Sequence, residues 1–231
     1  WTRTEIGTAL ARAGIEARGQ RLAHLMMHAE LDALVCSGTR RGAHQTYALV
    51  DEWVPPAPAP APDEALTRLA RRYLKSHGPA TAHDFAWWSG QTVTAAHRAI
   101  DSLGTDAEAR DVDGVTHWTV GGLPDALPKV PPVHLLPNYD EHIVAYRNHG
   151  ASLHPDAPDA LRGWGNGSTP HQITRGGLVV GGWRRAHKAD HTEVRAMLYL
   201  PFTSDERGRL QTAAEAYGLH LGRPVVLTVE G

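Results

Sequence analysis

The chain has 231 residues, 42% of them hydrophobic and 21% charged, with a formal net charge of −2. That is an ordinary globular composition, which excludes a disordered, collagen-like or low-complexity protein, and no apolar run approaches the ~18 residues of a membrane helix. A near-neutral charge argues against a basic surface all over and turns attention to local patches.

The opening, WTRTEIGTAL, lacks a basic region followed by an apolar one, so no signal peptide is read. The single cysteine, Cys36, rules out a disulfide framework and a multi-cysteine zinc site, and fits a reducing, cytoplasmic setting. Thr2-x-x-Glu5 is a capping box that opens a helix, TEIGTALARA, which Gly14 can close. GQRLAHLMMHAELDALV then predicts a long amphipathic helix with Leu22, Leu25, Met26, Ala29, Leu31 and Leu34 on its apolar face. CSGTRRGAHQTYALVDEWVP reads as a hairpin: a strand near Leu34–Ser37, a polar basic tip and a returning strand Gln45–Val50. The alternating Pro and Ala of 55–62 predict an extended spacer.

A second module fills 63–122. DEALTRLARRYLKSH has apolar residues at helical spacing and ends at Gly78-Pro79. Thr81, with Asp84 three residues on, caps a second helix that carries Phe85, Trp87 and Trp88 and stops at Gly90. Thr92 caps a third, which Gly104 closes. Val112, Val115, Trp118 and Val120 are strand-like around an Asp113-Gly114 hairpin turn. Three helices and a two-stranded hairpin form the winged helix-turn-helix pattern. Residues 1–54 repeat that grammar with the first helix missing, so the natural protein is expected to extend upstream of Trp1.

From 123 to 231 the chain changes character. Strands are expected at Val133–Leu136 and Ile143–Tyr146, on either side of Gly176-Gly177, along HTEVRAMLYLPF and in VVLTVEG. One helix, ERGRLQTAAEAYGLHLG, carries Leu210, Ala213, Ala214 and Tyr217 on one face. Short strands with frequent Gly and Pro predict a small β-barrel or curled sheet. The expected fold is α+β: a winged helix at 1–54, a linker at 55–62, a winged helix at 63–122 and a β-barrel-like domain at 123–231.

Of the 23 Lys and Arg, three are Lys (Lys75, Lys129, Lys188), and Arg offers bidentate forks to phosphates and base edges. The first hairpin tip presents Arg40, Arg41, His44 and Gln45, suited to phosphate or minor-groove contact; a solvated turn is the alternative. Residues 161–188 hold Arg162, Arg175, Arg184, Arg185 and Lys188 without one Asp or Glu, with a Gly-Trp-Gly-Asn-Gly loop at 163–167 and Trp183 before the Arg pair. This arm could lie along a groove; a solvated basic face is the alternative. Asp140 and Glu141 are weak catalytic candidates, since adjacent carboxylates can activate water, but an ion pair with Arg147 or Arg184 is the stronger expectation. His24 and His28, four apart on a helix, could share a metal, but no third ligand is evident and no metal site is expected. One of Trp87 and Trp88 is left for a domain interface or for stacking on an extruded base.

Four stretches then point to a family: 21–55, 73–90, 133–147 and 176–185. They resemble the bacterial winged-helix DNA-binding-domain proteins that include DNA glycosylases for alkylated purines and interstrand crosslinks. The resemblance implies tandem winged helices followed by a β-barrel, double-stranded DNA, damaged or intact, as partner, and a cytoplasmic, nucleoid-associated protein. It implies extrusion of a damaged base and hydrolysis of its glycosidic bond by a positioned water, with no cofactor. Glycosylase members carry Gln-x-Gln or Gln-x-Asp near the N-terminus; here the Gln residues stand at 20, 45, 91, 172 and 211, and neither motif occurs. The rival reading is a non-enzymatic transcription regulator or interaction protein with tandem winged helices.

Overall fold

The computed structural model describes residues 1–123, 126, 132–158 and 171–230. The chain forms two compact units, Trp1–Pro60 and Ala61–Gly231. The break falls at the end of the Pro/Ala stretch, where the chain has no large apolar side chains with which to build a core.

The first unit holds α1 (Arg3–Arg12), α2 (Gly19–Leu31), a hairpin of β1 (Val35–Arg41) and β2 (His44–Leu49), and the short helix α3 (Val50–Trp53). Thr2 and Glu5 form the expected capping box: the Thr2 hydroxyl accepts from the Glu5 amide, and the Glu5 carboxylate accepts from the Thr2 amide. The backbone of Trp1 and Thr2 also runs beside β2, with Tyr47 N–H donating to the Trp1 carbonyl at 2.7 Å. The core is small. Leu22 and Met26 of α2 pack with Ala17 against Ile6, Leu10, Val35 and Tyr47. Leu25, Leu31 and Leu34, expected on the same apolar face, stay exposed. Val50, expected to end the returning strand, instead opens α3 with its amide on the Leu34 carbonyl.

The second unit begins with α4 (Pro62–His77), α5 (Ala82–Ser89), α6 (Val93–Asp101) and a hairpin of β3 (Ala107–Val112) and β4 (Val115–Val120). Thr81 and Asp84 make a reciprocal capping box, and Gly90 closes α5 in the left-handed region at φ 69°. Tyr73 and Leu74 of α4, Phe85 of α5 and Ile100 of α6 form one buried cluster, against which Trp118 and Val120 of the hairpin pack. Gly78 sits where α4 meets the hairpin: a Cβ there would strike the Leu74 carbonyl oxygen and the backbone of Trp118 and Thr119.

The rest of the unit is β5 (Val133–Leu136), the single turn α7 (Glu141–Val144), β6 (Gln172–Arg175), β7 (Leu178–His187), β8 (Thr192–Leu198), α8 (Ser204–Leu221) and β9 (Val225–Glu230). Arg162 and the 163–167 loop lie outside the described residues. The strands form one sheet in the order β5-β6-β7-β8-β9, antiparallel except for the last pair. The expected barrel is therefore corrected to an open sheet. The helix α8 links parallel β8 and β9, covers one face of the sheet through Leu210, and leaves β5 and β9 as edges. The pairing of β6 with β7 shifts register between Ile173 and Thr174. That extra residue in β7 brings Val180 and Trp183 to the same core despite their odd spacing.

The segment that follows α7 is joined directly to the helices α4 and α5 of this unit. The Tyr73 hydroxyl donates to the Ala145 carbonyl at 2.9 Å, the Tyr146 hydroxyl to the His77 carbonyl at 2.8 Å, and the Arg147 amide to the buried Asp84 carboxylate at 2.9 Å. The compact unit Ala61–Gly231 thus includes residues on both sides of position 122. Among the described residues, no helix is long and apolar enough to cross a membrane.

Candidate nucleic-acid interface

At the first hairpin, β1 runs on through Arg40 and Arg41, and the turn is only Gly42 and Ala43. Arg40, His44 and Gln45 are exposed side chains at the tip, so the hairpin does present them to solvent. Arg41 is committed elsewhere. Its two terminal nitrogens donate to the two Glu5 oxygens at 2.7 and 3.1 Å. That fork, joined by the Thr2 amide, lowers the Glu5 pKa to about 2. A depressed carboxyl pKa keeps the contact intact above the ordinary carboxylate range and loses it only as pH falls toward 2. Arg41→Ala is expected to move the Glu5 midpoint part of the way back toward 4.5, the remainder being held down by Thr2. A side-chain carboxyl NMR titration reads it directly, and an unmoved midpoint would show that the fork does not form in solution.

In the C-terminal sheet the expected contact residues fall into two groups. Arg175 pairs with Glu206 at 3.1 Å and lies 5.4 Å from the centre of the Phe202 ring, so it buttresses the start of α8. Lys188 pairs with Glu193 at 3.4 Å. Trp183, expected beside the arginines on the binding arm, is a core residue at 4% exposure. Its indole N–H donates to the Leu136 carbonyl at 2.8 Å, and its ring meets Tyr217 edge-on. The alternation of the strand explains the correction: β7 turns Trp183 inward against α8 before its last residues leave the core.

Arg184 and Arg185 remain exposed on the outer half of β7. Arg184 stands across from Arg195, whose own guanidinium reaches Glu230 at 3.3 Å. No carboxylate among the described residues pairs with Arg184 or Arg185. The nearest polar neighbour of Arg185 is His171, Nη1 to Nε2 at 3.3 Å. His171 Nδ1 accepts from the Asn138 amide at 2.9 Å. An amide only donates, so in the neutral ring the proton sits on Nε2, facing another donor on Arg185. Burial and then the Arg185 charge push the His171 pKa down, so the ring stays neutral and does not hold the guanidinium.

The Asn138-Tyr139-Asp140-Glu141 segment differs most from expectation. Ile143–Tyr146 is not a strand. Asp140 is an N-cap, its carboxylate accepting from the His142 amide at 2.9 Å, and it starts the helical turn α7. Glu141 accepts the Trp88 indole N–H at 3.0 Å and meets His77 Nε2 at 3.3 Å, while the His77 ring stacks on Tyr73. The expected pairing of these carboxylates with Arg147 or Arg184 is replaced by these contacts. Tyr139 has φ 59°, a left-handed conformation uncommon for an aromatic residue and of the kind that collects at functional sites. Trp87, at 48% exposure, donates its indole N–H to the Val144 carbonyl, so only part of the ring is open. His28 pairs with Asp32 at 2.9 Å, one helical turn on. The Trp88–Glu141–His77 cluster was not readable in the sequence, because its members lie on three separate elements.

The whole arrangement can be set beside known proteins. The family model of the DNA glycosylase AlkZ-like proteins matches residues 1–219. The chain belongs to the AlkZ-like DNA glycosylase family. Among solved structures this AlkZ-like chain is similar to the Streptomyces sahachiroi DNA glycosylase AlkZ, with a TM-score of 0.68 and 18% sequence identity. The match covers 98% of this chain and 64% of that one, so the AlkZ-like chain spans less than two thirds of the structure it matches. At that identity the likeness establishes the fold. No curated protein matches by sequence.

Proposed function

We propose that this chain binds double-stranded DNA as part of a DNA-repair glycosylase-like protein, with damaged duplex as its target and the cytoplasmic nucleoid as its place of action. Residues 62–120, three helices and a hairpin, serve as a winged helix, and the helices and hairpin of residues 2–53 serve as a second. One observation carries the reading: exposed arginines at strand ends, Arg40, Arg184 and Arg185, are left without carboxylate partners among the described residues, while Arg41, Arg175 and Lys188 are each paired. An unpaired guanidinium can bind phosphate without first breaking an ion pair. In this reading the bonds of Asp140 and Glu141 make them scaffold rather than the groups that attack the glycosidic bond. A second reading is a non-enzymatic regulator or interaction protein that binds duplex DNA with the same arginines.

The test is the salt dependence of duplex binding. Replacing both Arg184 and Arg185 by Ala is expected to flatten the slope of log affinity against log salt by about 2, since each phosphate contact contributes roughly 0.9. The loss is expected to be similar for unrelated duplex sequences. Fluorescence anisotropy from low to moderate salt checks it, and an unchanged slope would remove the pair from the interface.

A further inference from the structure

His171, immediately before β6, is held at three points. Its carbonyl accepts from the Trp183 amide at 3.1 Å, which fixes its backbone against β7. Its ring lies over the Trp183 ring, with centres 4.6 Å apart and planes 33° from parallel. Its Nδ1 accepts from the amide of Asn138, two residues past the end of β5, at 2.9 Å. Trp183 is in turn fixed by the Leu136 carbonyl on one side and Tyr217 of α8 on the other. The imidazole therefore has one orientation, set by the core on which it rests.

Of the two exposed arginines of β7, one reaches this ring. Successive side chains of a strand point to opposite faces, so Arg185, two residues after Trp183, shares the tryptophan's side, and Arg184 takes the other side, across from Arg195. Arg185 Nη1 lies 3.3 Å from His171 Nε2. Burial, and then the Arg185 charge, lower the His171 pKa. With Nδ1 occupied as an acceptor, the neutral ring carries its proton on Nε2. Two donors thus converge, and they oppose one another unless one acceptor receives both. Nitrogens 3.3 Å apart can share a single oxygen at the ordinary ~2.9 Å. The guanidinium has no carboxylate partner among the described residues, so its charge favours an oxygen that belongs to an anion.

We propose that His171 and Arg185 form a two-point clamp for one phosphoryl oxygen of the nucleic-acid backbone, with the histidine acting as a neutral donor. The inference rests on the DNA reading and deepens it by dividing the work between the two side chains. Arg185 neutralises the phosphate. His171 decides where it sits, because its ring cannot turn without leaving Trp183 and the Asn138 amide. A backbone phosphate gripped in this way fixes the position of the strand on the sheet and carries no base preference.

Two substitutions of His171 separate its two nitrogens. Asn can keep the acceptor that faces the Asn138 amide but has no donor where Nε2 stands; Gln can restore that distal donor. His171→Asn is expected to weaken duplex binding about tenfold or more, the worth of a hydrogen bond to a charged group. Its slope of log affinity against log salt is expected to stay unchanged, because a neutral donor releases no counterion. His171→Gln is expected to recover most of the affinity. Arg185→Ala is expected to lower the affinity and to flatten the slope by roughly 0.9. Anisotropy across a salt series reads all three. In the unsubstituted chain, the nitrogen and proton NMR signals of the His171 ring are expected to shift saturably with duplex. The same shift is expected at lower affinity when inorganic phosphate replaces chloride at constant ionic strength, and this arm holds whether or not a variant folds. Full affinity in His171→Asn, a slope that flattens with that change, or ring signals that neither duplex nor phosphate moves would each overturn the clamp. Duplex binding with unmoved ring signals removes the clamp and leaves the DNA reading intact. Ring signals that answer phosphate in a chain that binds no duplex overturn the DNA reading and the backbone as the source of the oxygen.

Discussion

Replacing Trp183 by Ala is expected to destabilise the second unit by about 3–5 kcal/mol, the usual cost of emptying a buried large aromatic site. Three losses coincide. The ring leaves a core shared with Val133, Ile173, Val194, Phe202 and Leu210. The edge-on contact with Tyr217 and the tilted one with His171 disappear. The Leu136 carbonyl loses its donor, which had tied β5 to β7 across the sheet. At roughly 2–4 °C per kcal/mol for a unit of this size, the melting temperature falls by about 6–20 °C. Calorimetry on the intact chain measures it. A variant that melts normally but binds duplex weakly would return Trp183 to the binding surface and contradict its place in the core.

Asp84→Ala is expected to cost about 3 kcal/mol. Its carboxylate accepts from the Thr81 amide at 2.9 Å, the Thr81 hydroxyl at 2.6 Å and the Arg147 amide at 2.9 Å. Losing the capping box removes roughly 1 kcal/mol from the start of α5. The Arg147 amide, left partly buried without a partner, adds about 1–3 kcal/mol. Asp84→Asn should recover part of this, because the amide oxygen can serve one donor while its NH₂ confronts another. Asp63→Ala is the control. Its pair with Arg98 is exposed on both sides, and such pairs contribute about 0–1 kcal/mol. Thermal melts of the three variants decide it, and equal effects from Asp84 and Asp63 would mean that Asp84 does not join the helices to the segment after α7. Since Trp183 and Asp84 belong to different cores, their effects should add within a few tenths of a kcal/mol.

Local chemistry was legible where partners lie within one helical turn. Thr2 with Glu5 and Thr81 with Asp84 were recognisable as caps, and both boxes form. The same signal stood at Thr203 and Glu206, where it also forms, although the helix of 206–222 was recognised from its periodicity alone. Asp140 shows how a local signal can be outweighed. The apolar run Ile143–Tyr146 suggested a strand, yet Asp140 accepts from the amide two residues on and turns the backbone into a helix. The pattern of the C-terminal strands was also legible, but alternation within a strand says nothing about whether the outermost strands meet. The α8 crossover covers one face of the sheet and leaves β5 and β9 apart.

The sequence by itself determined the caps, the hairpin turn at Asp113-Gly114 and, through four stretches of residues, the family. Each of these rests on forces acting over a few neighbouring residues or on patterns that run along the chain. Only the tertiary structure decided which charges are free. Arg41 finds Glu5 across 36 residues, Arg175 finds Glu206 across 31, and Glu141 finds Trp88 across 53. A cation with a carboxylate held at hydrogen-bond distance is part of the scaffold, and one without remains available to a phosphate. That distinction comes from how the elements pack, and no spacing along the chain encodes it.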